Sequence, residues 1–264
     1  MGWRQLLQHN ARPRWLALLI MRWITESVNN LLPVAQIGGE IVRARLLTKH
    51  GIHGATASST VLGDFTIGLF AQALFTLVGA LLLFNAVGTT DFVSQLTTGI
   101  LVLLLLLIGF FYFQSQGFSK ITSIMTARSV NNNRWLSLIK NTEQFAAEIK
   151  QLYSQRQNLF LAFSWRLLAW FVGTGETFLI LYALGISISL AHLVILESFA
   201  FAARSLGFLI PGAVGITEGA LVLVGTLLGL TPAQALTLAL AKRARELLLG
   251  LPGIIIWLNE ESHS

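Results

Sequence analysis

The feature that most restricts the fold is a segment, residues 65–87, that contains no Asp, Glu, Lys or Arg. About 20 apolar residues are enough to cross the hydrocarbon core of a bilayer as one α-helix. Residues 93–113 have the same character, and their leucine-rich run at 101–108 is typical of a lipid-facing surface. Because lipid cannot hydrogen-bond to backbone groups, a spanning segment of this kind forms a helix. We therefore predict an all-α protein in which several helices cross a membrane.

Composition extends this prediction to the whole chain. Of its 264 residues, 54% are hydrophobic and only 11% are charged, whereas soluble domains carry about 25% charged residues. At about 20 residues per crossing there is room for roughly six or seven spans and no separate soluble domain. We therefore interpret residues 1–264 as one integral membrane domain, a polytopic helix bundle. Further spans are predicted at about 159–184, 190–210, 220–230 and 235–258.

The net charge of +6 follows the predicted topology and does not indicate a nucleic-acid partner. Lys and Arg are frequent in the polar loop at 114–157, whereas the turns at Gly88, Gly185 and Thr231 contain none. Positively charged loops stay on the cytoplasmic side of a membrane. We therefore expect loop 114–157 and the C-terminus to be cytoplasmic. Part of the loop, about 136–152, has the pattern of an amphipathic helix on the membrane surface.

The sequence gives no indication of an enzyme, a metal site or a cofactor. There is no cysteine, and the five histidines show no metal-ligand spacing. The sequence shows no evident Ser-His-Asp set, H-E-x-x-H motif or Gly-rich phosphate loop. No ATP-binding motif is present either, so active transport would need an ion gradient or a partner.

Two Pro/Gly-rich breaks resemble each other. Residues 27–40 read Ser-Val-Asn-Asn-Leu-Leu-Pro-Val-Ala-Gln-Ile-Gly-Gly-Glu, and residues 205–218 read Ser-Leu-Gly-Phe-Leu-Ile-Pro-Gly-Ala-Val-Gly-Ile-Thr-Glu. Aligned on the prolines, Ser, Leu, Pro, Ala and Glu coincide. We interpret this as a weak internal repeat with halves at about 15–113 and 158–258. The residues expected to break the helices are Pro33, Gly38, Gly39, Pro211, Gly212 and Gly215.

Paired broken helices in the two halves of a membrane protein indicate a transport site. Their free backbone groups survive only when they are buried in protein or line a wet cavity. Each half-helix also directs the partial positive charge of its N-terminus at whatever binds there. Two unrelated kinks are the alternative interpretation, and the Glu shared by both copies argues against it.

Charged residues within apolar segments are the candidate substrate-binding groups. A charge at the bilayer centre costs at least ~2.5–3.5 kcal/mol, so it is retained mainly for function or for pairing with another charge. Alternatively, Arg43 and Arg45 lie at the cytoplasmic edge of the membrane and Asp64 caps a helix. The full candidate set is Glu40, Arg43, Arg45, Asp64, Glu197, Arg204 and Glu218.

At residues 211–218 the sequence resembles the lysylphosphatidylglycerol synthase transmembrane-region family, also described as flippase-like. Residues 26–47, together with Asp64, Gln72 and Phe75, look more particularly like its hopanoid-biosynthesis-associated branch. The resemblance covers almost the whole chain. Family members usually begin with one or two hydrophobic helices before the region of Glu26, so this chain is expected to be short at its N-terminus.

The resemblance implies a flippase-like membrane domain in a bacterial cytoplasmic (inner) membrane. It also implies a link to hopanoids, which are sterol-like triterpenoid lipids, and to lipid-biosynthesis enzymes as partners. Because the soluble domain that performs synthesis in the synthases has no counterpart here, synthase activity does not carry over.

The leading hypothesis is a lipid translocator that binds headgroups near the two breaks, with membrane lipids as its partners. A secondary transporter of a small polar solute or ion could use the same repeat. A membrane partner of lipid-biosynthesis enzymes that transports nothing, and an intramembrane enzyme using embedded Arg and Glu, are further alternatives.

Overall fold

The computed structural model describes residues 2–7, 13–32, 37–88, 133–207, 210 and 213–262, with isolated positions between 98 and 112; for residues 133–143 it describes the backbone only. The prediction of an all-α fold is confirmed, because the regular structure of these residues is helical. Between 2 and 88 and between 133 and 262 the helices are α1 (Gly2–Leu6), α2 (Trp15–Leu31), α3 (Gly38–Lys49), α4 (Gly54–Val87), α5 (Asn133–Ser154), α6 (Arg156–Ala183), α7 (Leu190–Leu206), α8 (Ile216–Leu227) and α9 (Pro232–Ser262).

The longest apolar helix is α4, which contains the segment predicted at 65–87 and begins well before it. Among the described helices it alone is long and apolar enough to qualify as a membrane span, with a mean hydropathy of 2.2 over its best window, while α8 is apolar but shorter. Most of the other long helices carry several charged residues near their middle, which lowers their apolarity. The span predicted at 93–113 lies largely outside the described residues.

Residues 15–31 form one continuous helix, α2. One side of α2 exposes apolar side chains, including Trp15 and Leu19, and the other side buries Met21, Ile24 and Val28. Arg22 is accommodated because it pairs with Glu26 one turn later on α2 and with Asp64 on α4.

The helices pack through small residues as well as apolar ones. On α9, a Cβ added at Gly250 would lie 2.7 Å from Leu31 Cδ1, and one added at Gly253 would lie 2.9 Å from Ser27 Cβ. These two glycines let α2 lie directly along α9. Small contact residues are the usual way for membrane helices to approach, because lipid provides no hydrophobic drive for their association.

Helix α8 begins directly after the second predicted break, whereas α3 begins within the first, at Gly38, so Gly38 and Gly39 start a helix and do not interrupt one. Gly39 donates its backbone N–H to Asn29 Oδ1 over 2.8 Å, and Gly215, at φ +85°, precedes the first residue of α8. Glu40 and Glu218 are both the third residue of their helix. Pro33, Pro211 and Gly212 lie outside the described residues.

Helix α7 occupies the centre of the larger apolar core. It packs against α4 on one side and α8 on another, with Ile195 and Leu196 fully buried between them. The predicted amphipathic segment of the basic loop is helix α5, and it packs against α4. The first part of that loop, residues 114–132, is outside the described residues.

Candidate functional site

A cavity of about 460 Å³ lies among the helices and is unusually rich in charge. We call it the charged cavity. Six acidic and six basic side chains line it, so its walls are close to neutral while offering both donors and acceptors. The twelve are Arg22, Glu26, Glu40, Arg166, Glu176, Glu197, Arg204, Glu218, Lys242, Arg243, Arg245 and Glu246.

Ion pairs divide these residues and two of their neighbours into the Asp64 cluster and two chains along α9, which we group together as the α9 cluster. The Asp64 cluster consists of Arg22, Glu26, Glu40, Arg43, Asp64 and Arg166. The α9 cluster consists of Glu176, Glu197, Arg204, Glu218, Lys242, Arg243, Arg245 and Glu246.

The centre of the Asp64 cluster is a single carboxylate oxygen. Asp64 Oδ2 lies 2.6 Å from Arg166 Nη2, 2.8 Å from Arg43 Nη1 and 3.4 Å from Arg22 Nη1. The four side chains come from α4, α6, α3 and α2, so one aspartate joins four helices. Asp64 is only 1% exposed, and its burial away from water strengthens each of these interactions.

Two further carboxylates neutralise the arginines on the outer side of this cluster. Arg22 pairs with Glu26 one turn later on α2, and Arg43 pairs with Glu40 one turn earlier on α3. The pairing of Glu40 with Arg43 matches their spacing of three residues along a helix. Arg43 is fully buried, and its guanidinium carbon lies 4.6 Å from the centroid of the Trp3 ring.

In the α9 cluster the charges form a chain along the cavity wall. Glu246 pairs with Arg204 on one side and accepts from Arg243 Nη1 over 2.8 Å on the other. Arg243 Nη2 lies 2.9 Å from Glu218 Oε1. Arg204 also donates to Asn30 Oδ1 over 2.8 Å. The chain therefore ties α7, α8 and α9 to α2, beside both broken segments.

The second part of the α9 cluster surrounds Glu197, which is 1% exposed. Its Oε2 lies 2.8 Å from Lys242 Nζ and accepts from the Thr177 hydroxyl over 2.5 Å. Glu176 Oε2 lies 3.9 Å from the same Lys242 Nζ, and Glu176 Oε1 lies 2.7 Å from Arg245 Nε. Lys242 is thus shared by two carboxylates from α6 and α7.

A second cavity of about 420 Å³ adjoins the first. We call it the aromatic cavity, because Trp3, Trp15 and Trp165 line it together with leucines. Arg22 and Arg166 line both cavities, so the Asp64 cluster forms the boundary between them.

The structure brings four of the seven predicted site residues to the wall of the charged cavity: Glu40, Glu197, Arg204 and Glu218. Asp64 lines the aromatic cavity instead, and Arg43 lies behind the wall in contact with Asp64 and Glu40. Gly38 and Gly39 start α3. Gly215 lies just before α8 and donates its backbone N–H to Glu218 Oε2 over 2.7 Å.

Arg45 is not at either cavity. It is 63% exposed and binds Glu261 at the end of α9 with two hydrogen bonds, of 2.9 and 3.0 Å. Lys49 Nζ lies 3.1 Å from the same carboxylate. The hydrogen bonds from Lys49 and Arg45 lower the pKa of the Glu261 carboxyl. This group stabilises the α3–α9 contact at the rim of the bundle.

Six further charged residues line the charged cavity although they were not among the predicted site residues: Arg166, Glu176, Lys242, Arg243, Arg245 and Glu246. Sequence analysis also missed Arg22 and Glu26 as cavity residues. The available signal was their spacing of four residues within an apolar stretch, which predicts an ion pair on one helix face. Their convergence with Arg166 on Asp64 depends on how four helices pack, and spacing along the chain does not reveal that.

Chemically, the charged cavity suits a polar or charged group that exchanges with internal ion pairs. Within the described residues, no group of three His, Asp or Glu side chains is arranged to hold a metal ion. A guest with a phosphate and a hydroxyl or ammonium group would find partners of both signs, and charge-assisted hydrogen bonds are about twice as strong as neutral ones.

Comparison with known proteins adds one match. The model of a family described as the lysylphosphatidylglycerol synthase TM region matches residues 1–253. No curated protein and no solved structure matches the chain. The resemblance found at the second break therefore extends over nearly the whole sequence.

Proposed function

The chain belongs to the lysylphosphatidylglycerol synthase TM-region family, and on that premise we propose that it is a membrane lipid translocator that binds lipid headgroups in the charged cavity. The family and the all-helical fold make it a membrane protein related to lipid handling. The proposal goes further, to movement of a lipid or lipid-linked substrate across the bilayer.

The observation that carries this proposal is the lining of the charged cavity. Six acidic and six basic side chains converge on one space within a chain that is only 11% charged. Charges inside a membrane bundle are costly and mark pathways for polar groups. A lipid headgroup needs such a pathway to cross the hydrocarbon core, while its tails stay in lipid.

The two broken segments supply the first contacts in this mechanism. Glu40 and Glu218 occupy matching positions in the first turns of α3 and α8, and each is paired with an arginine. A headgroup with a donor could bind either carboxylate, and a headgroup with a phosphate could bind Arg243, which lines the cavity. Exchange of one partner at a time avoids leaving a buried charge unpaired, which would cost several kcal/mol.

Several finer features belong to the same proposal. We place the protein in a bacterial cytoplasmic membrane, with the basic loop and C-terminus in the cytoplasm, because of the charge of that loop. Hopanoid-related lipids and lipid-biosynthesis enzymes are the substrate and partners that the family resemblance suggests.

A second candidate function is transport of a small polar solute or ion. The sharing of Lys242 between Glu197 and Glu176 favours it, because an ion or proton could replace the lysine on one carboxylate. Such a protein would release or take up charge with each cycle and would not need to bind lipid selectively.

The proposal is tested by native mass spectrometry of lipids that purify with the protein. Wild type is compared with the double variant Glu40→Gln/Glu218→Gln, and Glu261→Gln is the matched control because its carboxylate lies at the rim and lines neither cavity. We expect wild type and the control to retain a defined lipid and the double variant to lose it.

Transport itself is measured in vesicles with a headgroup-labelled fluorescent lipid and dithionite quenching from outside. Wild type should increase the quenched fraction above that of protein-free vesicles, and the double variant should not. If wild type retains no selective lipid and moves none, the result contradicts the lipid-translocator proposal and favours solute transport. If the double variant behaves as wild type in both assays, the matching glutamates have no part in lipid handling.

A further inference from the structure

The aromatic cavity has apolar walls and a polar floor. Trp3, Trp15 and Trp165 form its sides with Leu18 and Leu19. At the floor lie Asp64, Arg22 and Arg166, which also form the boundary with the charged cavity. Trp15 is 57% exposed on the surface of the bundle. The cavity therefore leads from the apolar surface of the bundle to the Asp64 cluster.

Two buried polar atoms at this cavity lack a hydrogen-bond partner within the described part of the chain. One is Asp64 Oδ1, an acceptor, and the other is Trp3 Nε1, a donor. Asp64 is 1% exposed and Trp3 is 7% exposed, so bulk water reaches neither side chain freely. Both residues contact Arg43, whose guanidinium lies over the Trp3 ring and against Asp64 Oδ2. Leaving a buried donor or acceptor unpaired costs about 1–3 kcal/mol, so a bound group is expected to satisfy them.

The chemistry of the floor selects among possible groups. Asp64 Oδ1 needs a donor, which excludes an anion without a proton. Arg4, Arg22 and Arg166 line the same cavity against the single carboxylate of Asp64, so a cationic donor such as an ammonium is repelled. A neutral hydroxyl remains, because it donates one hydrogen bond and accepts others.

Water alone does not account for the space. One water molecule takes up about 30 Å³ in the liquid and needs two to four polar partners, whereas this cavity measures about 420 Å³ with largely apolar walls. The tryptophans and leucines match a hydrocarbon body instead.

We propose that the aromatic cavity is a second lipid site that binds a neutral membrane alcohol, with its hydroxyl between Asp64 Oδ1 and Trp3 Nε1 and its hydrocarbon body against the tryptophans. The site is separate from headgroup binding in the charged cavity and does not depend on it. The two cavities share Arg22, Arg166 and Ala169, and the two arginines hold Asp64 in place.

The test uses purified protein in vesicles and photoactivatable sixteen-carbon probes that differ only in the head: alcohol, methyl ether, amine and carboxylate. Labelling is mapped by peptide mass spectrometry. We expect the alcohol to label residues of α1, α2 and α6 at the aromatic cavity. The ether accepts but cannot donate, so its labelling there should be about 2- to 10-fold weaker, the range of one net hydrogen bond.

A pair of variants tests the indole donor. Trp3→Phe keeps an aromatic ring and removes only the N–H, and it should reduce alcohol labelling by about 2- to 10-fold. Trp257→Phe is the matched control, because Trp257 Nε1 is also buried without a partner among the described residues but lines neither cavity. The control should label as wild type does.

Three results would overturn the proposal. The first is equal labelling of wild type by alcohol and ether, which would leave only adventitious hydrocarbon binding or water at the floor. The second is stronger labelling by the amine or the carboxylate than by the alcohol. The third is an equal response of Trp3→Phe and Trp257→Phe. The first two comparisons use wild type, so they hold even if a variant folds poorly.

Discussion

The Asp64 cluster and the α9 cluster both neutralise charged side chains inside the helix bundle, but they arrange the ion pairs differently. Each has equal numbers of acidic and basic side chains, and each joins several helices. In the first, three guanidiniums depend on one carboxylate oxygen. In the second, the charges form two chains of four, and the two inner side chains of each have two partners of opposite charge.

We therefore regard the Asp64 cluster as a structural centre and the α9 cluster as a cavity wall whose ion pairs can change partners. Removing the Asp64 charge leaves three arginines facing one another with only Glu26 and Glu40 to offset them. In the α9 cluster, Lys242 would keep Glu176 if it lost Glu197, and Arg243 would keep Glu218 if it lost Glu246. A wall that exchanges partners with a passing headgroup needs the second arrangement.

The largest effect is expected from Asp64→Asn. The amide has no charge to oppose three guanidiniums, and breaking a buried ion pair costs about 3–5 kcal/mol. Thermal unfolding in detergent, followed by fluorescence-detected size exclusion, should show the largest fall in Tm of any single variant discussed here. A fall no larger than that of Glu246→Gln would remove the distinction between the two clusters.

A smaller loss is expected from Glu246→Gln. Arg204 keeps Asn30 and Arg243 keeps Glu218, so the cost should be that of weakened charged hydrogen bonds, about 1.5–3 kcal/mol. The same unfolding assay applies. If Glu246→Gln prevented folding while Asp64→Asn did not, the assignment of centre and wall would be reversed.

The pair formed by Lys242 and Glu197 should show coupling. Lys242→Met leaves the Glu197 carboxylate buried with Thr177 alone, and Glu197→Gln in the same chain removes that charge. We expect the double variant to be less destabilised than the sum of the single variants, by about 0.5–3 kcal/mol. Additive losses in this double-mutant cycle would mean that the two side chains act independently.

The smallest effect is expected at the rim, where Glu261 binds Arg45 and Lys49. Its pKa is lowered in the folded protein, so its contribution is present above the ordinary carboxyl pKa and is lost as pH falls through the lowered value. Glu261→Gln should therefore shift Tm only slightly at pH 7, and less at pH 3. A larger shift at pH 3 than at pH 7 would contradict this assignment.

Local sequence signals predicted some of these features well. The segment at 65–87, which contains no charged residue, lies within α4. Helix α8 starts after the second Pro/Gly break, and α3 starts at Gly38 within the first. Glu40–Arg43 and Arg243–Glu246 pair at the spacing that helical geometry favours. Arg45 did not behave like its neighbour Arg43, because two positions along a helix place side chains on different faces.

By itself, the sequence determined that this chain is a helical membrane protein with two broken segments and an excess of embedded charge, since apolar length, Pro/Gly chemistry and charge spacing act within a few turns of one helix. Only the tertiary structure decided which charges meet. Asp64 collects arginines from residues 22, 43 and 166, and Arg204 reaches both Glu246 and Asn30. These contacts between helices depend on how each helix is rotated and how closely it approaches its neighbours, and packing contacts such as Gly250 against Leu31 set both.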